Sequence, residues 1–357
     1  MQHILHVVGA RPNFMKVAPV LQALNVYPQV RQTLVHTGQH YDKNMSDVFF
    51  EQLGIPTPDI NLEVGSGTHA YQTAHIMLRL EELLLKIRPD RVLVYGDVNS
   101  TVASAMVCAK LLIPIDHVEA GLRSRDLTMP EEINRLVTDR LATLLFTPSP
   151  DGNENLIAEG INPAKIHCVG NVMIDTLIKM LPLAEIVTLN TPPEYILTTL
   201  HRPSNTDHIE TLQHILQTLA DLSRQIPVIF PIHPRTQNRL EGIQFNPSDY
   251  PDLLLWKPLG YIEFLHLQKH AKLVITDSGG VQEETTYLQV PCLTLRENTE
   301  RPITVTVGSN KLIGRDIDQL RQHVEDTLQQ GSKRGQVPSL WDGHAGERIA
   351  KIVLAQR

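Results

Sequence analysis

A turn of small residues, Ser278-Gly279-Gly280, lies between an apolar run and a helical pattern. The run before it is rich in β-branched residues and predicts a buried strand. Ser278 is a favourable N-cap residue, and the two glycines let a ligand come close to the backbone. A helix that begins here directs N–H groups and the positive end of its dipole to one point, which suits a phosphate. Glycines at this spacing are equally typical of a plain β–α turn, so both interpretations stay open at this point.

Two carboxylates, Asp97 and Glu119, each closely follow an apolar run that predicts a strand. If the two strands are neighbours in one sheet, the carboxylates share one pocket. Two such groups suit acid–base chemistry, because each can be tuned to a different protonation state. A further pair, Glu131-Glu132, opens a predicted helix after Pro130. Acids in a first turn also complement the helix dipole, so that pair has two explanations.

Cations and histidines also follow predicted strands. Arg11 and Lys16 come after the first strand, whereas His201 and His233 follow two strands of the second half, and Arg301 follows a later one. A histidine at such a place can donate to a phosphate or move a proton. The loop that carries Lys16 has neither a Gly-Lys-Ser/Thr sequence nor a GxGxxG turn. The sequence therefore argues against a P-loop and against a tightly held NAD.

Alternating strands and helices must position these residues. Apolar runs predict strands at residues 4–8, 33–36, 92–95, 115–118, 144–147, 166–169, 195–200, 228–231, 253–256, 272–275, 292–295 and 311–313. Helical spacing occurs at residues 14–24, 44–53, 71–87, 100–111, 131–141, 151–158, 209–223, 237–241, 261–270, 281–287, 317–329 and 346–355. Short apolar strands that alternate with helices predict parallel sheets covered on both faces.

The pattern predicts an α/β fold of two doubly wound, Rossmann-like domains, residues 1–170 and 171–342, followed by a terminal helix in residues 343–357. The Pro192-Pro193 break is an alternative boundary. In open parallel sheets, ligands bind beyond the carboxyl ends of the strands. We therefore expect the two domains to face each other across a cleft lined by the residues that follow each strand.

Composition excludes several function classes. The chain has 357 residues and a formal net charge of −7, which argues against nucleic acid or an anionic membrane as partner. No apolar run approaches the roughly 20 residues of a membrane span, and the N-terminus predicts a strand rather than a signal peptide. Cys108, Cys168 and Cys292 are far apart and indicate reduced cysteines of a cytoplasmic protein. Among the histidines, only His266 and His270 share helical spacing with a glutamate, and not in the HExxH arrangement, so no metal is expected.

Together these residues resemble the non-hydrolysing UDP-N-acetylglucosamine 2-epimerase family. The matching motifs run in the family's order along the chain. They are Gly9-x-Arg11-Pro12-x3-Lys16, Gly38-Gln39-His40, Gly96-Asp97, His117-Val118-Glu119-Ala120-Gly121-Leu122-Arg123, Pro130-Glu131-Glu132-x-Asn134-Arg135, Gly170-Asn171, His201-Arg202, His233-Pro234, Asp277-Ser278-Gly279-Gly280-x-Gln282-Glu283-Glu284 and Glu300-Arg301-Pro302.

The resemblance implies a fold like that of the GT-B glycosyltransferases, with the last helix packed on the first domain, and a homodimer that acts on a UDP-sugar. It implies that catalysis uses Asp97, Glu119, Glu131, His201 and Lys16. It implies UDP-sugar binding by Arg11, Lys16, His201, Phe264, Ser278, Gly279, Gly280, Glu284 and Arg301. Gln39 and His233 match parts of a second, activating site, but residues 65–69 lack the arginine that some members use there.

The family's reaction explains these residue types. UDP leaves C1 and a proton leaves C2, which gives a 2-acetamidoglucal; UDP then adds back while a proton reaches the other face. This requires carboxylates on both faces of the ring and cations for the departing diphosphate, without redox cofactor or metal. The leading interpretation is epimerisation of UDP-GlcNAc to UDP-ManNAc. The alternatives are the same chemistry on another UDP-sugar such as a 2,3-diacetamido uronic acid, a hydrolysing epimerase that releases ManNAc, a GT-B glycosyltransferase and a UDP-sugar-binding regulator.

Overall fold

The computed structural model describes residues 1–38, 54–232, 234–240, 243, 245–314, 316–330 and 335–356; within them the side chains at 11, 203, 234, 235, 238 and 330 are not described. The chain divides into two compact units. The first comprises Met1–Ile178 and Ser339–Arg357, and the second comprises Lys179–Pro338. In the described part of the chain, every helix is too short or too polar to cross a lipid bilayer.

The first unit is built on a parallel sheet. Its described strands are β1 (Gln2–Val8), β2 (Val30–His36), β3 (Ile60–Asn61), β4 (Arg91–Tyr95), β5 (Ile115–Val118), β6 (Leu144–Thr147) and β7 (Ile166–Cys168). They pair in the order β3-β2-β1-β4-β5-β6-β7, and every pair is parallel. All five residues of β4 are buried, as both faces of the sheet are covered by helices. The strand order reverses between β1 and β4, where doubly wound folds bind ligands.

Helices of the first unit join these strands. They are α1 (Arg11–Asn25), α2 (His69–Ile87), α3 (Asn99–Leu111), α4 (Pro130–Leu141) and α5 (Pro150–Ala158). A further helix, α6 (Val172–Glu185), follows β7, and its last residues belong to the second unit. The core beneath α2 and α3 consists of aliphatic side chains from both layers, among them Leu5, Val94, Ile76 and Ala103. This packing fixes the strand ends from which the candidate site residues project.

The second unit repeats the design. Its described strands are β8 (Ile196–Thr199), β9 (Val228–Pro231), β10 (Leu253–Trp256), β11 (Leu273–Thr276), β12 (Cys292–Thr294) and β13 (Asn310–Leu312). The parallel order is β10-β9-β8-β11-β12-β13, so the reversal lies between β8 and β11. The helices are α7 (Pro203–Thr206), α8 (Ile209–Ser223), α9 (Pro234–Leu240), α10 (Tyr261–His270), α11 (Gly279–Leu288), α12 (Ile303–Thr306) and α13 (Ile317–Gln330).

The last helix, α14 (Ala345–Ala355), packs in the first unit against α1. A Cβ atom on Gly346 would lie 2.6 Å from the Pro19 carbonyl oxygen, so glycine permits this close approach. The Gly346 N–H donates to Asp175 at 2.8 Å, and the Trp341 indole donates to the Pro148 carbonyl at 2.9 Å. The terminal segment is thus fixed to the first unit by both packing and hydrogen bonds.

The α/β class with two doubly wound units is confirmed, and all twelve predicted strands are present with small differences at their ends. The sequence interpretation missed β3, α6 and the short helices α7 and α12. Helix α6 was missed because its sequence is almost uniformly apolar and contains Pro182, which hides the helical period. The predicted boundary after residue 170 precedes α6, whereas the units divide within this helix, after Ile178. The helix predicted at residues 44–53 lies outside the described residues.

Candidate active site

The loop after β1 is fastened to the end of β4, on the two sides of the strand-order reversal. Asn13 Oδ1 accepts hydrogen bonds from the N–H groups of Gly9 and Ala10, both at 3.0 Å. Its Nδ2 donates to the Tyr95 carbonyl at 2.7 Å. The first turn of α1 is therefore fixed against β4, and Lys16 on the following turn is buried.

Lys16 forms a buried ion pair with Glu119, which follows β5. A Cβ atom on Gly96 would lie 2.6 Å from Lys16 Nζ and 3.2 Å from Glu119 Oε2, and Gly96 has a φ of +66°. Only glycine fits there without strain. Glu119 itself has a φ of +74°, which is uncommon for a residue with a side chain and persists only where the surroundings hold it. A buried charge pair on strained backbone at a strand end is typical of a functional site.

Asp97 follows Gly96 and is held from α4. Arg135 forms an ion pair with the Asp97 carboxylate and another, at 2.6 Å, with Glu132. The Asn134 amide donates to the backbone carbonyl of Asp97 at 2.8 Å. The Arg135 side chain is 2% exposed and the Asp97 side chain 23% exposed. The Asp97 carboxylate thus reaches solvent from a rigid, buried support, as a group that must meet a substrate requires.

The neighbouring acids Glu131 and Glu132 differ in their surroundings. Glu132 is buried and accepts hydrogen bonds from the N–H groups of Ser124 and Arg125, both at 2.9 Å. Burial by itself would raise the pKa of Glu132, but these amides and Arg135 outweigh it and lower the pKa. Glu131 is half-buried in the first turn of α4, and within the described residues it makes no hydrogen bond or ion pair. Of the two, Glu131 is the carboxylate left to act on a ligand.

In the second unit, Asp277 organises the loop after β8. This carboxylate is 0% exposed and accepts hydrogen bonds from the N–H groups of His201 and Arg202, the latter at 2.9 Å, and from the Asn205 amide at 2.9 Å. The ring Nδ1 of His201 lies 2.8 Å away. Burial opposes ionisation of Asp277, but His201 and the N–H donors outweigh it and lower its pKa. The other ring nitrogen of His201 is the one that can meet a ligand.

The turn Ser278-Gly279-Gly280 opens α11 at the carboxyl end of β11, as predicted. Ser278 occupies the N-cap position with extended backbone, but its hydroxyl makes no capping bond. The expectation that Ser278 caps the helix through its side chain is therefore wrong; its N–H instead donates to Thr276 Oγ1 at 3.0 Å. All three residues of the turn are partly exposed. The uncapped first turn leaves the helix end available to an anion.

Arg301 packs against the same turn. A Cβ atom on Gly279 would lie 2.5 Å from Arg301 Nη1, so this glycine makes room for the guanidinium. Arg301 forms ion pairs with Glu283 at 2.9 Å and with Glu300 at 2.7 Å. Burial would raise the pKa of Glu300, but Arg301 and Arg296 hold it well below its ordinary value. The cation at the helix end is therefore fixed in place by ionised partners.

Glu284 is buried one turn further along α11. The Tyr261 hydroxyl donates to its Oε1 at 2.9 Å, and the Gln268 amide, oriented to donate, reaches its Oε2 at 3.0 Å. Burial raises the pKa of Glu284 to about 7, with Tyr261 and Gln268 opposing the shift. Phe264 is partly buried in an adjacent apolar cluster with Leu259.

Glu284→Gln should raise the stability of the protein at pH 8 while changing it little at pH 4.5. The folded pKa of about 7 lies above the ordinary 4.5, so the stability that this group contributes is complete below pH 4.5 and is lost as pH rises through 7. Glutamine keeps an acceptor for Tyr261 and avoids the buried charge, which is worth about 3 kcal/mol at pH 8. Thermal unfolding at both pH values measures this, and an equal Tm difference at both would contradict it.

Three predicted site residues lie outside what the structure describes, namely the Arg11 side chain, Gln39 and His233.

The two described histidines that were considered as metal ligands make other contacts. His266 Nδ1 lies 2.8 Å from the Ala184 carbonyl, and His270 Nδ1 lies 2.8 Å from the His266 carbonyl. In the described ranges, the side chains of His, Cys, Asp and Glu form no group of three suited to a metal ion.

Sequence reasoning quoted Glu132, Arg135 and Asp277 as motif members but missed their role of holding other site residues. Arg135 and Glu132 support Asp97, whereas Asp277 supports His201. A signal for the first two was present. Three charged residues of α4, at positions 132, 135 and 139, share one helical face, and charges on the buried face of a helix need partners. No comparable sequence signal distinguishes Asp277 from an ordinary turn residue.

Comparison with known proteins gives a consistent result. A family model described as UDP-N-acetylglucosamine 2-epimerase matches residues 22–354. A UDP-N-acetylglucosamine 2-epimerase of Methanocaldococcus jannaschii is 43% identical over 97% of each chain. A UDP-2,3-diacetamido-2,3-dideoxy-D-glucuronate 2-epimerase of Pseudomonas aeruginosa is 41% identical over 98% of this chain and 99% of its own.

A solved structure extends this similarity to the fold. The crystal structure of the M. jannaschii UDP-GlcNAc 2-epimerase in complex with UDP-GlcNAc and UDP has a TM-score of 0.89 and 41% identity, and the match covers 99% of this chain and 100% of that chain. The similarity therefore includes both units and the strand ends that carry the candidate residues. This chain belongs to the UDP-N-acetylglucosamine 2-epimerase family.

Proposed function

We propose that this enzyme interconverts UDP-GlcNAc and UDP-ManNAc by reversible epimerisation at C2. The observation that carries the proposal is the group of carboxylates at the strand-order reversal of the first unit, where Asp97 reaches solvent beside the buried Lys16–Glu119 pair. The solved relative that is 41% identical to this chain was crystallised with UDP-GlcNAc and UDP. A purified enzyme that leaves UDP-GlcNAc unchanged would contradict the proposal.

We assign the proton transfers to the first unit. The C2 proton of an N-acetylhexosamine is not acidic, so the C1–O bond must break with its electron pair passing to UDP. The C2–H electron pair then forms the C1=C2 bond, and the proton passes to a carboxylate. In the reverse sense, UDP oxygen attacks C1 while a proton reaches C2 from the opposite face. Asp97, Glu119 and Glu131 supply the carboxylates, and Lys16 supplies a balancing positive charge beside Glu119.

We assign UDP binding to the second unit. The N–H groups of Gly279 and Gly280 at the start of α11, the Ser278 hydroxyl and the adjacent Arg301 suit a diphosphate. His201, held by Asp277, can donate to a leaving oxygen, and Glu284 can accept from ribose hydroxyls. Phe264 offers an apolar surface. The proposal that Arg11 also binds UDP is supported by the sequence resemblance alone, because its side chain lies outside what the structure describes. No redox cofactor or metal enters this scheme.

Ser278→Ala should lower both UDP affinity and turnover by about tenfold, because a hydrogen bond to a charged group contributes roughly 1.5–3 kcal/mol. The Tm should not change, since the hydroxyl makes no capping bond in the folded protein. Calorimetric titration with UDP, kcat and thermal unfolding measure the three quantities. Ser248→Ala, at an exposed serine of the same unit, is the matched control. A loss of affinity with unchanged kcat would make the turn a passive binding site and not part of the departure of UDP.

A second substrate is a specific alternative, because the Pseudomonas aeruginosa relative that acts on a 2,3-diacetamido uronate derivative is 41% identical. The two substrates differ at C3 and C6, away from the bonds that change. A competition experiment distinguishes the two substrates. The enzyme receives both UDP-sugars in one reaction, and each epimer is measured separately. We expect preferential turnover of UDP-GlcNAc.

We propose that Gln39 and His233 belong to a second nucleotide-sugar site.

We also propose a homodimer formed through the outer face of α2, α3 and α4. The groove between α3 and α4 is lined by Met106, Ala109, Lys110, Leu136, Val137, Arg140 and Leu141. Its two cations stand beside apolar side chains, and the neighbouring α2 exposes Glu81 and Glu82. In a dimer with two-fold symmetry, these carboxylates of one subunit can form ion pairs with Lys110 and Arg140 of the other. Sedimentation should show a dimer that Met106→Glu dissociates; a wild-type monomer at micromolar concentration would contradict this.

We place the enzyme in the cytoplasm. Cys108, Cys168 and Cys292 are all unpaired thiols, and two of them are buried. Free cysteines in a chain of this length are typical of a reducing compartment.

A further inference from the structure

His117, at the end of β5, has an acceptor at each ring nitrogen. Its ring is fully buried, with Nδ1 2.6 Å from Asp139 Oδ1 and Nε2 2.7 Å from the Gly96 carbonyl oxygen. A carbonyl oxygen cannot donate a hydrogen bond, so Nε2 must carry hydrogen. If Asp139 is ionised, Nδ1 must carry hydrogen as well, and the ring is an imidazolium.

The surroundings of Asp139 favour its ionised form. Its second oxygen accepts from the Gly121 N–H at 3.1 Å and forms an ion pair with Arg123 at 2.7 Å. Burial would raise the pKa of Asp139, but His117 and Arg123 outweigh it and lower the pKa. His117, Asp139 and Arg123 therefore form one charged network, and Arg123 also pairs with Glu159 at 2.7 Å.

This network joins the two loops that carry the catalytic carboxylates. Gly96, which precedes Asp97, is fixed at both of its backbone polar groups. Its N–H donates to the Val118 carbonyl at 3.0 Å, and its carbonyl accepts from His117. Glu119 lies two residues after His117 and is held in a left-handed conformation. One side chain thus connects the backbone next to Asp97 with the backbone next to Glu119.

We propose that His117, kept doubly protonated by Asp139, is a positioning residue that fixes the carboxylates of Asp97 and Glu119 relative to each other. This inference rests on the proposed function. A reaction that removes a proton from one face of C2 and delivers one to the other needs both carboxylates in place within one encounter. A displacement of about 1 Å costs up to roughly a hundredfold in rate.

Loss of the contacts made by His117 should change a second measurable quantity besides the turnover rate. Misplaced carboxylates slow the re-addition of the intermediate, whereas its escape from the enzyme depends on opening and diffusion. The variant should therefore release more 2-acetamidoglucal and UDP for each epimer formed. A residue that only stabilises the fold would lower the amount of active enzyme and leave this ratio unchanged.

The test compares two variants with a matched control. Asp139→Asn removes the charge that keeps His117 doubly protonated. His117→Asn places an amide near Nδ1 and leaves the Gly96 carbonyl without its partner. The control is Asp116→Asn, on the same strand as His117. Asp116 is also a buried aspartate paired with an arginine, because it lies 2.6 Å from Arg91. Proton NMR with UDP-GlcNAc measures epimer, glucal and UDP in each reaction, and thermal unfolding measures stability.

We expect kcat in both variants to fall about tenfold to a hundredfold, and the ratio of released glucal to epimer to rise by at least about tenfold over wild type and control. KM should change little. An unchanged ratio in a folded variant overturns the inference. Wild-type enzyme that forms no epimer overturns the proposed function instead. If neither variant folds, ¹⁵N NMR of the wild-type His117 ring at pH 7 decides, because a neutral ring overturns the inference.

Discussion

Asp97→Asn should abolish epimerisation, with kcat reduced by about a thousandfold or more, while UDP still binds with near wild-type affinity. A positioned acid or base contributes roughly 10²–10⁴-fold to a proton transfer, and an amide cannot take up the proton. The amide retains the shape of the carboxylate and an acceptor for Arg135, so the support beneath Asp97 should persist. Steady-state kinetics and calorimetric titration with UDP separate the two effects.

The control for this change is Glu154→Gln, which neutralises an exposed acid of the same unit. It should retain full activity. An active Asp97→Asn enzyme would remove Asp97 from the mechanism and leave Glu119 and Glu131 as the proton-transferring groups.

Asp277→Ala should both destabilise the protein and weaken UDP binding. The carboxylate accepts from the N–H groups of His201 and Arg202 and from Asn205, and alanine leaves these donors without their acceptor. Each unsatisfied buried polar group costs about 1–3 kcal/mol, so a loss of about 3 kcal/mol or more in unfolding free energy is expected. UDP affinity should fall at least about tenfold, because His201 loses its support.

Thermal unfolding and UDP titration at one pH measure the two losses. Asp252→Ala removes an exposed carboxylate from the same unit and should change neither quantity. Asp277→Asn keeps one acceptor oxygen and should recover part of the stability. Full UDP affinity in a destabilised Asp277→Ala protein would mean that His201 does not depend on this carboxylate.

Much of this architecture could be predicted because parallel sheets simplify the problem. Strands buried on both faces are continuous apolar runs, and functional residues follow their carboxyl ends. That rule alone selected Asp97, Glu119 and His201 as candidates, and each of them follows a strand in the structure. Helix α6 was not predicted, because an apolar helix with an internal proline shows no polar face in the sequence.

The supporting residues could not be found in the same way. Helix α4 buries Glu132, Arg135 and Asp139 and exposes Ile133, the reverse of an ordinary amphipathic helix. This inversion is visible as a pattern, but the partners of these charges depend on which strand ends lie beneath the helix. Likewise the left-handed backbone of Glu119 results from tertiary contacts, and its residue type gives no sign of it.

The central claim is that the C2–H bond breaks and that UDP leaves and returns at each turnover. Proton NMR of the purified enzyme with UDP-GlcNAc in deuterated water tests this directly. We predict that deuterium enters C2 of both UDP-ManNAc and the recovered UDP-GlcNAc, because each passage through the 2-acetamidoglucal replaces that hydrogen with one from solvent. Formation of UDP-ManNAc that retains protium at C2 would contradict the elimination mechanism and the catalytic roles assigned to Asp97, Glu119 and Glu131.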